Sequence, residues 1–154
     1  MITETLKRAF NPLTRDVIMV FELEVYKMDK LRPGMVYEHN KIVTEEDTAE
    51  AHGSGDLPVY ATPALVALME YAAKELVKPG LSEGETTVGV KMDISHLKAT
   101  AVGGAVRARA ELLEMEGRRL HFRIEAYEGE MLIGEAIHDR VVVDAQRFMS
   151  KFSK

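Results

Sequence analysis

Residues 64–73 read Ala-Leu-Val-Ala-Leu-Met-Glu-Tyr-Ala-Ala, and Glu70 is the one charged side chain among them. A helix that is apolar on nearly every face has to be buried on nearly every face. Whatever else this chain forms must therefore wrap around that helix. The same requirement sets Glu70 apart, because an ionised carboxylate is costly to bury without a partner or a cleft. Partial burial would raise the proton affinity of such a group towards neutral pH, which suits a general base or acid. A purely structural glutamate, hydrogen-bonded inside the fold, satisfies the run equally well. Its neighbours decide between the two.

The rest of the composition narrows the setting. At 154 residues the chain is expected to form one domain whose core needs neither metal nor disulfide. A makeup of 46% hydrophobic and 29% charged residues fits an ordinary soluble globular protein. No stretch approaches the roughly 20 apolar residues that span a bilayer, and the N-terminus lacks a signal-peptide pattern, so no membrane partner is expected. The absence of cysteine excludes disulfides, thiolate metal sites and a cysteine nucleophile; a cytoplasmic location is expected. A formal charge of -5 opposes general nucleic-acid binding while leaving room for local basic patches. The chain has no His-x-x-His or His-Glu-x-x-His spacing, so no metal is expected. It also lacks Gly-x-Gly-x-x-Gly, P-loop and Gly-x-Ser-x-Gly motifs, and no bound cofactor is expected.

Nothing repeats at a solenoid period, and no segment is low-complexity. Residues 1–33 read as an N-terminal extension and 34–154 as the main domain. Within the extension, residues 6–10 fit a short helix before Asn11-Pro12, and 17–26 alternate as a half-buried strand does. The extension is either an appendage docked on the domain or an upstream start to a chain that begins at Met28. Leu31-Arg32-Pro33-Gly34 reads as a linker, 35–44 as a strand and 44–55 as a polar loop. Thr62 suits an N-cap and Pro63 the first helical turn, where a missing N–H costs nothing. The helix is expected to run to about residue 77 and to stop at Pro79-Gly80.

Strands follow the helix. Val88, Val90, Met92, Ile94 and His96 are expected on one face of the first. Val106, Ala108, Ala110 and Leu112 alternate with charged residues in the next. Beyond a turn at Glu116-Gly117, Leu120, Phe122, Ile124 and Ala126 do the same. A turn at Glu128-Gly129 leads to a last strand over 131–144, and 145–152 fit a short helix. One buried helix followed by a meander of long alternating strands is α+β architecture, an antiparallel sheet curved around the helix. Such a sheet leaves an edge, and a second copy would cover it, so a homodimer is expected.

That order resembles the hotdog-fold thioesterases, and within them the fluoroacetyl-CoA thioesterase-like group. The matching residues are Ala61-Thr62, Leu68-Met69-Glu70, Val88-Gly89, His96, Ala99-Thr100, Glu116-Gly117-Arg118-Arg119 and His138-Asp139-Arg140. The resemblance covers about residues 35–150 and leaves 1–27 unexplained. Its specific part is Thr62, Glu70 eight residues on, and His96 twenty-six beyond that. It implies a hotdog fold and catalytic roles for Thr62, Glu70 and His96, with substrate contacts at Gly89 and Arg140. Acyl-CoA is the implied substrate, and coenzyme A enters only as part of it. One position departs from the pattern. The lid phenylalanine of the fluoroacetyl-specific members lies six residues before the catalytic threonine, where this chain has Asp56. The resemblance therefore carries thioester hydrolysis further than fluoroacetyl selectivity.

The chemistry of the residues agrees with that reading. Thioester hydrolysis needs a base to activate water and donors for a developing oxyanion. Glu70 qualifies as the base, or as a nucleophile forming an anhydride. Thr62 stands at a helix N-terminus, where free N–H groups and the dipole favour negative charge. Pro63 donates nothing, which leaves Ala64 N–H or Gly89 N–H as oxyanion donor. Gly89 interrupts a strand, as glycine does where a ligand approaches the backbone. His96, facing inward, could orient Thr62, share a proton with Glu70 or donate to the carbonyl. Each residue also has a plainer role: a helix cap at Thr62, a core histidine at His96, a bulge at Gly89, an ion-paired side chain at Arg140. His138 reads as structural, like His39, His52 and His121.

Eight helical residues separate the Cα atoms of Thr62 and Glu70 by roughly 12 Å with an angular offset of about 80°. Their side chains should not touch within one copy. Either substrate lies between them or each site combines residues of two subunits, and we expect the second. The rival readings are a hotdog enoyl-thioester hydratase or dehydratase, a non-catalytic acyl-CoA binder, and an interaction module that recruits a partner through 1–27.

Overall fold

Period-two alternation builds strands β1 (Val36–Ile42), β2 (Glu85–His96), β3 (Ala105–Glu116), β4 (Arg119–Glu128) and β5 (Met131–Asp144). The computed structural model describes residues 30–153; the helix and strand expected within 1–29 lie outside them. The strands form one antiparallel sheet in the order β1-β3-β4-β5-β2. Helices α1 (Ala49–His52), α2 (Thr62–Val77) and α3 (Ala145–Ser150) accompany the sheet among the described residues. This is the α+β arrangement expected, with α2 packed chiefly on β3 and β1.

The alternation places the core. Val106, Ala108, Ala110 and Leu112 of β3, with Leu120, Phe122, Ile124 and Ala126 of β4, are each at most 1% exposed. They meet Leu65, Leu68, Met69, Ala72, Ala73 and Leu76 of α2. Each fully buried Leu, Ile or Phe contributes about 1.5–3 kcal/mol, so this seam is the main stabilising element. Gly134 lets β5 approach the helix: a Cβ there would lie 2.9 Å from Leu65 Cδ2 and 3.4 Å from Met69 Cε. The packed unit reaches back to Leu31, which is buried in the same core against Gly80. No helix among the described residues is long and apolar enough to cross a membrane.

Strand β2 departs from simple alternation. Gly89 pairs with Arg140 and Lys91 with Asp139, so Val90 is the extra residue of a β-bulge. A bulge reverses which residues face the helix. Beyond it Met92, Ile94 and His96 point inward as expected. Before it the inward positions are Thr87 and Gly89, and Val90 is exposed, so Val88 and Val90 do not share the face of His96. The reversal carries Gly89 to the helix side of the sheet.

Both outer strands, β1 and β2, leave a backbone edge unpaired among the described residues. The open face of α2 is short and apolar: Pro63, Ala67 and Tyr71 are exposed, and Glu70 is half-buried between them.

Candidate active site

The entry into α2 is fixed by backbone bonds, not by a capping side chain. Tyr60 N donates to Thr100 O at 2.8 Å and Ala61 N to Asp47 O at 2.9 Å. These hold Ala61 extended at φ -76° and ψ 142°, so Ala61 takes the N-cap expected of Thr62. Alanine offers no acceptor to the first-turn N–H groups. Thr62, one residue further on, is freed from capping, and its Oγ1 lies 2.8 Å from His96 Nδ1.

His96 closes this pair from the last position of β2. Tyr60 stands edge-on to its ring, with centroids 6.4 Å apart and planes at 79°. Burial holds the imidazole below the ordinary histidine range, and the Lys98 backbone opposes that shift without reversing it. His96 is therefore neutral near pH 7, able to take a proton at one nitrogen and give one at the other. Its Nε2 is buried and makes no hydrogen bond. A buried polar atom left so is a point where a ligand group or a second chain would find a partner. Thr62 and His96 line a cleft of about 320 Å³ with Tyr60, Lys98, Ala99, Ala49 and Ser54. Asp56 is exposed and is not among its walls.

Glu70 belongs to a second cluster. Its Oε1 lies 3.5 Å from Arg140 Nη1 and 3.6 Å from His138 Nε2. The carboxylate side chain is 40% exposed, whereas Arg140 is 7% and His138 1% exposed. Gly89 makes room for it: a Cβ there would collide with Glu70 Oε1 and come 3.2 Å from His138 Cε1. Arg140 is pinned from behind, its Nε donating to Thr87 Oγ1 at 2.8 Å and its Nη2 to Thr87 O at 2.9 Å. Burial lowers the proton affinity of the guanidinium, and the Glu70 charge opposes that. Glu70 is the one carboxylate paired with Arg140 among the described residues.

The five residues singled out in the sequence thus fall into two groups. Thr62 meets His96, and Glu70 meets Gly89 and Arg140. Thr62 is not among the polar partners of Glu70, as the helical spacing required. His96 meets Thr62 and not Glu70, against the reading in which it shares a proton with the carboxylate. Thr87 escaped notice because alternation counted from His96 turns it outward; only the bulge shows it. His138 was read as structural, yet it touches the carboxylate cluster. Its signal was adjacency, since it shares a strand face with Arg140 two residues on. No group of three or more described His, Asp or Glu residues is placed to hold a metal ion.

A long helix in a five-stranded antiparallel wrap, with a threonine–histidine pair at its start and an arginine-backed carboxylate mid-way, defines a protein of the hotdog class. Residues 43–146 match the model of the fluoroacetyl-CoA-specific thioesterase family. The chain belongs to that family. The fluoroacetyl-CoA thioesterase of Streptantibioticus cattleyicolor is 34% identical over 129 residues, covering 80% of this chain and 93% of that protein. A solved structure of a fluoroacetyl-CoA thioesterase has a TM-score of 0.76 at 33% identity, covering 79% of this chain and 95% of that one. A thioesterase-superfamily member from Thermus thermophilus has a TM-score of 0.73 at 32% identity, covering 79% and 90%. A hot-dog-like protein from Thermanaerovibrio acidaminovorans, at 24% identity with a TM-score of 0.73 and 82% and 96% coverage, is alike in fold alone.

Proposed function

We propose that this protein is an acyl-CoA thioesterase, hydrolysing a small or medium acyl-CoA to the carboxylic acid and free coenzyme A. The observation that carries the reading is Glu70: a half-exposed carboxylate, the one charge in the apolar run 64–73, seated over Gly89 against a buried arginine. Glu70 takes a proton from water as the water oxygen bonds to the thioester carbonyl carbon. The oxyanion that forms is held by N–H groups, those of Ala64 and Gly89 being the candidates. Its collapse breaks the C–S bond, and the proton held by Glu70 passes to the departing sulfur. Thr62, oriented by His96, positions the water or the carbonyl. No metal or bound cofactor enters this scheme.

The two clusters meet, in this reading, across a homodimer in the cytoplasm. A second copy seated on the open face of α2 and the free edge of β2 would bring the partner's carboxylate towards the Thr62–His96 cleft. The exposed apolar positions Ala67 and Tyr71 support such a contact. Complementation tests it. Thr62→Ala and Glu70→Ala proteins are each expected to be inactive. Dissociated and re-formed as a one-to-one mixture, they should regain about a quarter of wild-type activity, because half the dimers hold one intact site of two. A verified heterodimer with no recovered activity would place both residues in a single protomer's site.

The activity itself is tested by thiol release over a panel of acyl-CoA substrates, with Glu70→Gln as control. Saturable binding without turnover would instead mark an acyl-CoA binder, and water addition to an enoyl thioester without thiol release a hydratase. Gly89→Ala is a further check on the carboxylate's seat. The added methyl displaces Glu70 Oε1. We expect a tenfold to hundredfold fall in kcat, roughly the loss that follows a displacement near 1 Å, with the circular dichroism spectrum unchanged.

A further inference from the structure

His138 is the buried group that the proposed reaction leaves without a task. The imidazole is fully buried on the helix face of β5, opposite Met92. Its Nδ1 lies 2.7 Å from Lys91 O, an acceptor that can only be met by Nδ1–H. Its Nε2 lies 3.2 Å from Arg140 Nη1, a donor that can only be met by a bare lone pair. The two neighbours leave one arrangement: a neutral ring, protonated on Nδ1, accepting at Nε2. Burial, with the arginine charge, lowers the proton affinity of the ring, while Lys91 O, Glu70 and Asp139 oppose.

That arrangement matters for Glu70. A guanidinium free to close on a carboxylate forms N–H···O bonds of about 2.7–2.9 Å and draws down its basicity. Arg140 Nη1 instead stands 3.5 Å from Glu70 Oε1. Thr87 holds the guanidinium at Nε and Nη2, and His138 holds Nη1. Resting on the thioesterase reading above, we propose that His138 is a positioning residue: it holds the Arg140 guanidinium back from Glu70, so that the carboxylate is oriented without being closed into a hydrogen-bonded ion pair. The other charges near Glu70 are accounted for. Lys74 and Glu75, one turn along α2, pair with each other at 2.8 Å. His39 of β1 packs against Tyr71 with centroids 4.4 Å apart and planes at 48°. Asp139 lies on the opposite face of β5, bound to Arg119 and His121.

Two substitutions separate the bonds of His138. Asparagine keeps a donor for Lys91 O but is too short to reach Arg140, whereas glutamine places an acceptor where Nε2 stood. The readout is the titration of the Glu70 carboxyl carbon by NMR, followed alongside the pH profile of kcat/KM. In His138→Asn the Glu70 midpoint should move down by about one unit, with kcat about tenfold lower and KM little changed. His138→Gln should keep both near wild type. Equal shifts in the two variants, or none in either, would overturn the proposal, because a merely structural histidine moves stability and not the midpoint. Should neither variant fold, the nitrogen shifts of wild-type His138 decide: a bare Nε2 from pH 6 to 8 supports the arrangement, and a protonated one overturns it. The carboxyl titration does not depend on turnover, so an inactive wild-type protein would sink the thioesterase reading alone.

Discussion

Glu70→Gln is expected to lower kcat by about a thousandfold with the fold retained, the middle of the range for removing a positioned general base. The substitution preserves shape and one carbonyl oxygen for Arg140, and it removes only the charge and the proton affinity. Loss of the carboxylate leaves Arg140 buried beside a neutral amide. Removing one partner of a fully buried pair costs about 3–5 kcal/mol. Here Glu70 is 40% exposed and the contact is 3.5 Å, so solvent already screens the pair. A loss of about 1 kcal/mol is expected, a few degrees in Tm. Turnover and thermal melting, measured on the same preparation, check both halves. A variant that keeps more than a tenth of wild-type kcat removes Glu70 from the chemistry; one that fails to fold makes it a structural anchor of β5.

What the sequence discloses and what it hides divide along a physical line. Alternation in β3 and β4 places eight inward side chains correctly, because those strands are central, paired on both sides and unbroken over that stretch. The helix and the last strand are legible too: 64–73 carries one charge among apolar residues, and 131–144 holds its period from Gly134 to Val142, past a bulge at Ile133. At the site the reading is partial. The spacing from Thr62 to Glu70 to His96 singles out residues that the structure divides between two clusters, and it already forbids contact between the first two. It cannot show the bulge at Val90, since an inserted residue is invisible to a period count. With that bulge went the inward placement of Gly89 and the grip of Thr87 on Arg140. The cap is a different failure. Threonine has the stronger intrinsic preference, yet the bonds of Tyr60 and Ala61 to Thr100 and Asp47 fix the chain's entry one residue earlier. Long-range pairing overrides local preference there, and it leaves Thr62 available to His96.

His96→Ala is expected to lower kcat/KM by about a hundredfold, by removing both the orientation of Thr62 Oγ1 and a polar group in the cleft. His96→Asn should recover part of that loss, because an amide nitrogen or oxygen can stand where Nδ1 meets Thr62 at 2.8 Å. The same residue carries a pH signature. Its proton affinity is held below the ordinary value near 6.5 by burial, so the folded ring stays neutral where an unfolded one begins to charge. Well above pH 6.5 neither state is protonated and His96 adds no slope. As pH falls through 6.5 the unfolded chain binds the proton first, so stability declines until the folded ring also titrates. His138, lowered by burial in the same direction, adds to the decline. Wild-type Tm should therefore drop between pH 7 and 5.5, and His96→Asn should drop less over that window. Activity follows the folded state alone: with neutral His96 as the working form, wild-type kcat/KM holds past pH 6.5 and falls only as the buried ring takes its proton. A His96→Asn protein that matches wild type in both rate and pH slope would leave the Thr62–His96 pair without a role in the reaction.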